Sequence, residues 1–212
     1  MCRGELAVRE ITANGRHLGQ YTPVAGGMTL LAAGSGQVPP LWPHETGISG
    51  KNSDAAVPGL DTELFYEAIG LGAPWRMLRN FLVLPEHRYA ARLNPPHAAI
   101  APEGNKGYTD VLHVVEGMVQ AAWLSIAQEA EHASAGITAV ADAVRCWRLH
   151  AAGFIRFGAE RGKGPWHVVL RRSWSDPRLL RFDGQAVDER GRVFLTLHHL
   201  EFDRRDHGPT AP

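Results

Sequence analysis

The sequence predicts an α+β fold in which an antiparallel sheet surrounds one long helix. A single helical segment with apolar residues on nearly every side covers residues 108–129. Short segments typical of strands precede it, and a longer run of alternating segments follows it. Strands, one buried helix and then more antiparallel strands are the order expected when a sheet curls around a helix.

The central helix carries one narrow polar line on an otherwise apolar surface. Apolar residues in nearly all directions are typical of a helix wrapped by other structure. His113, Glu116 and Gln120 follow at i, i+3 and i+7 and therefore share one face. A carboxylate among aliphatic residues must be paired, protonated or facing a cavity, because burying it unpaired is costly. Thr109 or Asp110 is expected to cap the start of this helix.

The segments before residue 38 alternate in polarity and predict a small β-meander. Residues 5–11 form its first strand, Asn14 and Gly15 form a tight turn, and residues 17–22 return beside the first strand. Residues 28–33 form a third short strand.

Residues 38–60 are rich in Pro and Gly and show little periodicity, which indicates a linker or a long exposed loop. Compact domains seldom contain such a loop internally, so a boundary is expected here. The predicted organisation is a strand unit over residues 1–37, this linker, a main domain over residues 61–204 and a flexible tail over residues 205–212.

The main domain begins with a short helix that Asp61 caps and that Gly70 or Gly72 ends. A hairpin around Pro85 precedes the central helix. After the helix the apolar period changes from 3.6 to 2, which indicates strands. The predicted strands of the main domain are residues 75–84, 87–93, 137–149, 153–159, 166–174, 179–187 and 193–202.

Composition excludes several classes of protein. The chain has 212 residues with 22 basic and 22 acidic side chains, so no net field attracts it to nucleic acid or to a membrane. No segment approaches the roughly 20 apolar residues that span a bilayer, and the first residues lack a signal peptide. A cytoplasmic protein is therefore expected. His198 and His199 are expected on opposite faces of a strand without a third ligand, so no metal site is predicted.

Three segments resemble a known family. Residues 65–81, FYEAIGLGAPWRMLRNF, residues 114–123, VVEGMVQAAW, and residues 185–202, QAVDERGRVFLTLHHLEF, resemble the C-terminal half of polyketide synthase dehydratase domains, which are double hotdogs. Residues 4–37 resemble the last strands of that family's first hotdog. The resemblance implies a hotdog fold, an antiparallel sheet wrapped around a long central helix, preceded by a partial first hotdog.

The same resemblance implies where an acid would lie. Glu116 occupies the position of the family's catalytic acid, which is Asp there, and Gln120 that of its neighbour. Single-hotdog fatty-acid dehydratases carry Glu in a similar Glu-x-Met-x-Gln context. The family's basic histidine motif has no counterpart, because neither His17 nor His44 has its spacing. Either the first hotdog is truncated or this protein does not dehydrate in the usual way.

Dehydration of a β-hydroxyacyl thioester removes an α-proton and protonates the departing hydroxyl group, for which two positioned groups of different basicity serve best. Burial favours the neutral form of a carboxyl group, so Glu116 is expected to act as the acid. Gln120 could hold that carboxyl group or a substrate hydroxyl. The free N–H groups at the helix start, near Tyr108 and Thr109, could bind a thioester oxygen.

The histidines near this face have two interpretations each. His113 could pair with Glu116 as a catalytic partner, or it could be a satisfied core residue. His97, in the loop before the helix, is either a candidate base and substrate contact or an exposed loop residue. Gly117, beside Glu116, is a candidate substrate contact.

A basic cluster forms a further candidate site. It could receive the phosphate of a phosphopantetheine arm or an acidic carrier protein, or it could be a solvated strand edge. Its members are Arg171, Arg172, Arg178 and Arg181.

The leading hypothesis is a dehydratase-like lyase of polyketide or fatty-acid metabolism that acts on acyl thioesters by dehydration, double-bond shift or cyclisation. Its substrate would be carried on an acyl carrier protein or CoA, without another cofactor. Two alternatives are a hotdog acyl thioesterase and a non-catalytic remnant that binds acyl chains or docks modules. A homodimer, or a partner that completes the first hotdog, is expected because a partial hotdog exposes sheet edges.

Overall fold

The computed structural model describes residues 2–11, 17–30, 40–42, 56–95, 106–131, 136–153, 155–157 and 164–205. The helices are α1 (Thr62–Ile69), α2 (Lys106–Glu131) and α3 (Ile137–Arg145). None of these helices in the described part of the chain combines the length and the apolar character needed to cross a lipid bilayer.

The strands are β1 (Cys2–Ile11), β2 (His17–Leu30), β3 (Val57–Pro58), β4 (Leu78–Leu84), β5 (Arg88–Leu93), β6 (Trp147–Ala152), β7 (Ile155–Phe157), β8 (His167–Ser175), β9 (Leu179–Val187) and β10 (Val193–Arg204). They pair into one sheet whose order is β1-β2-β7-β10-β9-β8-β5-β4-β3, with β6 also paired to β10. Among these described strands the pairings are antiparallel, except that β2 meets β7 in parallel at Leu30 and Ile155.

Helix α2 packs against the inner face of this sheet, and two glycines allow the close approach. A Cβ atom at Gly117 would lie 2.3 Å from Leu93 Cδ2, and one at Gly184 would lie 3.0 Å from Met118 Sδ. Met118 is fully buried at this contact. Since protein interiors are close-packed, a larger side chain at either glycine would push the helix and sheet apart.

Several predicted elements are confirmed. Helix α1 begins after Asp61, whose carboxylate accepts a hydrogen bond from the Glu63 N–H, and ends at Gly70 with a φ of 69°. The hairpin of β4 and β5, the long helix, and strands β8, β9 and β10 lie where alternation and turn residues predict them. The α+β class is therefore confirmed, with an antiparallel sheet packed on one long helix.

The prediction of a strand over residues 137–149 is wrong, because the first part of this segment forms α3. Alanine occupies every second position from 139 to 143, with Val140 and Val144 four residues apart, so the apolar pattern also fits a helix, and alanine favours the helix. Val140, which is fully buried, and Val144 lie one turn apart and pack toward the core. Cys146 lies at the end of this helix and is only partly buried.

Two further boundaries differ from the sequence predictions. Helix α2 begins at Lys106, so Thr109 and Asp110 lie inside its first turns and do not cap it. The expected three-stranded meander is a hairpin of β1 and β2, because one strand runs continuously from His17 to Leu30. Register shifts along this pairing accommodate its length.

The segment predicted as a linker contacts the sheet where it is described. The Leu41 N–H donates to Gln185 Oε1 at 3.2 Å, and Trp42 is buried. Further along, β3 pairs with the edge of β4, and the Leu60 N–H donates to Gln128 Oε1. The domain boundary itself stays a prediction.

His198 and His199 lie at an irregularity of β10, where the alternation assumed from sequence is interrupted. Pairing with β9 shifts between Leu197 and Leu200, and His199 has a φ of 59°. The two rings are 6.3 Å apart and nearly perpendicular. Across the described ranges, no group of three His, Cys, Asp or Glu residues is arranged to hold a metal ion.

Candidate active site

The polar line predicted on the central helix lies in the middle part of α2, beside the start of β4. Glu116 is half-buried there, whereas His113 and Gln120 are buried. The helical spacing brings Glu116 and Gln120 together, because residues four apart lie on the same face. Gln120 Nε2 donates a hydrogen bond to Glu116 Oε1 at 2.9 Å.

The Gln120 amide is hydrogen-bonded at both ends by groups from outside the helix. Its Oε1 accepts the Tyr66 hydroxyl at 2.9 Å and the Met77 N–H at 3.1 Å. Its Nε2 donates to the Trp75 carbonyl oxygen at 2.9 Å in addition to Glu116. A primary amide has two donor hydrogens and two acceptor sites, so this side chain is fully used and its orientation is determined.

Tyr66 anchors this network from α1 and is fully buried. Its hydroxyl accepts the Leu78 N–H at 2.8 Å and donates to Gln120. Burial raises the pKa of the Tyr66 phenol above its usual value, and the charges of Glu63 and Glu116 raise it further. The phenol therefore stays protonated and remains a donor to Gln120.

Glu116 is hydrogen-bonded at one carboxylate oxygen, Oε1, and is half-buried. Within the part of the chain that the structure describes, the bond from Gln120 is the one hydrogen bond that reaches this carboxylate. Two large apolar side chains near it are exposed: Leu112, one turn earlier on α2, and Trp75, whose carbonyl oxygen shares the Gln120 amide. The arrangement combines a positioned carboxyl group with an apolar surround, which suits proton transfer to an apolar ligand.

His113 lies on the same helix face but is bonded to the loop that follows β5. Its Nε2 donates to the Asn94 carbonyl oxygen at 2.7 Å. Asn94 in turn donates from Nδ2 to the Arg76 carbonyl oxygen and from its backbone N–H to the Met77 carbonyl oxygen, each at 2.8 Å. This geometry favours the structural interpretation of His113, since the ring joins α2 to the end of the hairpin.

The other predicted contacts are distributed along the same helix and loop. Tyr108 and Thr109 lie in the first turn of α2. Gly117 faces Leu93 of β5 and is buried. His97 lies outside the described residues. Substrate contact by these four residues stays a prediction.

The basic cluster predicted on β8 and β9 contains two arginines that pair with carboxylates. Arg172 bonds Glu129 of α2 and His87 of the hairpin turn, and Arg181 bonds Glu201 of β10. Such pairing favours the interpretation of this cluster as a strand edge rather than a ligand site.

Sequence reasoning missed Tyr66 and Asn94 as members of this network. Tyr66 lies 54 residues before Gln120, and Asn94 lies 19 residues before His113. The only sequence signal for Tyr66 is a hydroxyl group on an otherwise apolar helix face. A buried hydroxyl group needs a partner, but the pattern does not say which one.

No protein-family model matches the sequence, and no curated protein matches it significantly. Solved structures do match in fold. The first dehydratase of GphF aligns with 81% of this chain and 54% of its own, with a TM-score of 0.52 at 17% identity. The dehydratase domain of the CurJ module of curacin polyketide synthase aligns with 73% of this chain and 51% of its own, with a TM-score of 0.51 at 11% identity.

A crystallization variant of the GphF dehydratase gives a similar alignment, with a TM-score of 0.51 over 85% of this chain. The chain thus spans about half the length of these dehydratase domains. The resemblance seen in residues 65–81, 114–123 and 185–202 is confirmed at the level of fold: this chain folds like part of a polyketide synthase dehydratase domain.

Proposed function

We propose that this chain is a dehydratase-like protein that acts on β-hydroxyacyl thioesters with Glu116 as its acid. One observation carries the proposal: Glu116 is half-buried on the long helix and is held by the fully bonded Gln120 amide. A carboxyl group that is fixed in direction and only half-buried is suited to transfer a proton to a bound hydroxyl group. The similarity in fold to dehydratase domains supports the same function.

In the proposed reaction the substrate loses its α-proton to a base while its β-hydroxyl group takes a proton from Glu116. The electron pair of the α C–H bond forms the double bond, the C–O bond breaks, and water leaves. The candidates for the base are His97 and a histidine supplied by a partner or by another part of a longer protein. Tyr108, Thr109 and Gly117 are the proposed substrate contacts, and the acyl chain is proposed to lie near Leu112 and Trp75.

The proposal is tested with Glu116→Gln, which keeps the shape and removes the proton. Wild type is incubated with a β-hydroxyacyl pantetheine thioester, and the enoyl product is measured by mass spectrometry. We expect turnover to fall roughly 10²-fold or more. The matched control is Glu129→Gln, since Glu129 is a carboxylate near the other end of the same helix, and it should retain wild-type turnover. Full activity in Glu116→Gln would remove Glu116 from the mechanism.

Two other functions are distinguished in the same assay. A thioesterase would release free thiol and leave the hydroxyl group in place. A non-catalytic acyl-binding protein would bind the thioester without forming a product. One observation favours this second candidate. His113, the histidine nearest in sequence to Glu116, uses its Nε2 in a hydrogen bond to the Asn94 carbonyl oxygen. Wild-type binding without either product would identify this binding function.

The similarity in fold to dehydratase domains supports the proposed partners. We propose an acyl carrier protein or CoA as the carrier of the substrate, with no other cofactor, and a cytoplasmic location. A second copy or another protein is proposed to complete the first hotdog. Light scattering on the purified chain measures whether it forms a homodimer. If the chain is a monomer, only a different protein could complete the first hotdog.

A further inference from the structure

The sheet carries a row of basic side chains on the face opposite α2. Arg79 of β4 pairs in register with Arg92 of β5, and Arg92 pairs with His167 of β8. Their neighbours Leu78 and Leu93 belong to the core, and alternation along each strand directs these three side chains to the other face. We call Arg79, Arg92 and His167 the outer basic row. It spans about 10 Å, the width of two strand spacings.

Arg79 and Arg92 carry like charges and lie directly opposite each other on paired strands, an arrangement that destabilises a sheet. In the described ranges, no carboxylate forms an ion pair with Arg79, Arg92 or His167. Burial lowers the pKa of His167, and the positive charges of Arg92 and Arg79 lower it further. The repulsion within the outer basic row therefore destabilises the folded protein, and no contact among these three residues compensates for it.

The row also contains a buried donor without an acceptor. Arg92 Nε is shielded from solvent and has no hydrogen-bond partner in the described structure. Buried N–H groups are nearly always bonded, so this donor indicates that the row lacks an acceptor.

We propose that the outer basic row binds a phosphate group, either free or as an ester. Guanidinium groups bind phosphate oxygens through two parallel hydrogen bonds, and several phosphate oxygens can be shared among donors on neighbouring strands. A single carboxylate offers two oxygens and one charge, which matches two arginines and an imidazole less well. This site lies across the sheet from Glu116 and does not depend on the proposed function.

The test titrates the full chain with inorganic phosphate in one arm and glycerol 3-phosphate in the other. The readouts are the Arg92 Nε–H and His167 ring signals in NMR spectra, with sodium chloride at equal ionic strength as the control. We expect saturable shifts of both signals and a rise in the His167 pKa, because the bound anion offsets the charges of Arg92 and Arg79. Binding in the second arm alone would identify an ester as the ligand, and binding of inorganic phosphate would identify the free ion.

Two variants and one control locate the binding. Arg92→Gln should weaken binding roughly tenfold or more, because it removes a charge-assisted pair of hydrogen bonds. Arg79→Gln, an exposed position, should do the same and provides the answer if Arg92→Gln does not fold. Arg190→Gln, an exposed arginine in the turn before β10, should leave binding unchanged. The absence of a saturable shift in both arms, or equal affinity in Arg79→Gln and wild type, would overturn the proposal.

Discussion

Gln120 Nε2 bonds Glu116 Oε1 at 2.9 Å across one turn of α2, and this contact joins the candidate acid to the rest of the fold. The same amide is bonded to the Tyr66 hydroxyl and to the backbone of Trp75 and Met77. The direction of the Glu116 carboxylate therefore depends on α1 and on the chain entering β4, and not on the helix alone.

The first prediction concerns the amide itself. Gln120→Leu keeps the approximate volume but leaves the Tyr66 hydroxyl and the Met77 N–H without their acceptor. Each of these two unsatisfied buried groups costs about 1–3 kcal/mol, so the free energy of unfolding should fall by about 2–6 kcal/mol in urea denaturation. Turnover should fall as well, because Glu116 loses its only described hydrogen bond.

Gln128→Leu is the matched control, since Gln128 is also buried on α2 but bonds the Leu60 N–H. It should destabilise the fold without lowering the turnover of folded protein. Equal loss of turnover in both variants would mean that Gln120 has no specific role in positioning Glu116.

The second prediction concerns Tyr66. Its raised folded pKa means that the phenol contributes stability below its unfolded pKa of about 10, and that this stability is lost as pH rises toward the folded pKa. In Tyr66→Phe this alkaline loss should be smaller, although the free energy of unfolding at neutral pH should be lower by about 1–3 kcal/mol because Gln120 and the Leu78 N–H lose a partner. Denaturation curves at neutral and alkaline pH measure both effects, and parallel pH profiles would contradict the assignment.

The third prediction concerns the approach of α2 to the sheet. Gly117→Ala places a Cβ atom 2.3 Å from Leu93 Cδ2, so Leu93 must move within a packed core. Overpacking of this kind should lower the free energy of unfolding by about 1–3 kcal/mol. Gly72→Ala is the control, because its nearest atom would be 3.9 Å away, in Pro74. An unchanged melting temperature in Gly117→Ala would show that the helix and sheet are less tightly packed.

The fourth prediction concerns the pH dependence contributed by His167. Its pKa is lowered from 6.5, first by burial and then by Arg92 and Arg79. The unfolded chain therefore binds the proton more readily, and stability is lost as pH falls from the unfolded value through the lowered folded pKa. His167→Gln should make the melting temperature less dependent on pH in that range. A melting temperature that depends more steeply on pH in His167→Gln than in wild type would contradict the predicted direction of the effect.

Local pattern predicted the parts of the site that lie within one helix. Glu116 and Gln120 are four residues apart, so their contact follows from helical geometry once the helix is recognised. The cap of α1 at Asp61 and its end at Gly70 are also predicted from the sequence, because each depends only on neighbouring residues. The strand predicted over residues 137–149 is a helix in its first part, because alanine at every second position fits both periods and packing of Val140 against the core selects the helix.

The sequence by itself determined the long apolar helix, its polar line, the α+β class and most strands, since these follow from periodicity within a few residues. Only the tertiary structure decided that Tyr66 and Trp75 would hold Gln120, and that Arg79 would face Arg92 across a strand pair. Such contacts depend on strand register and on irregularities such as the one between Arg79 and Leu82. A shift of one residue in register reverses the face of every side chain, and no local pattern specifies it.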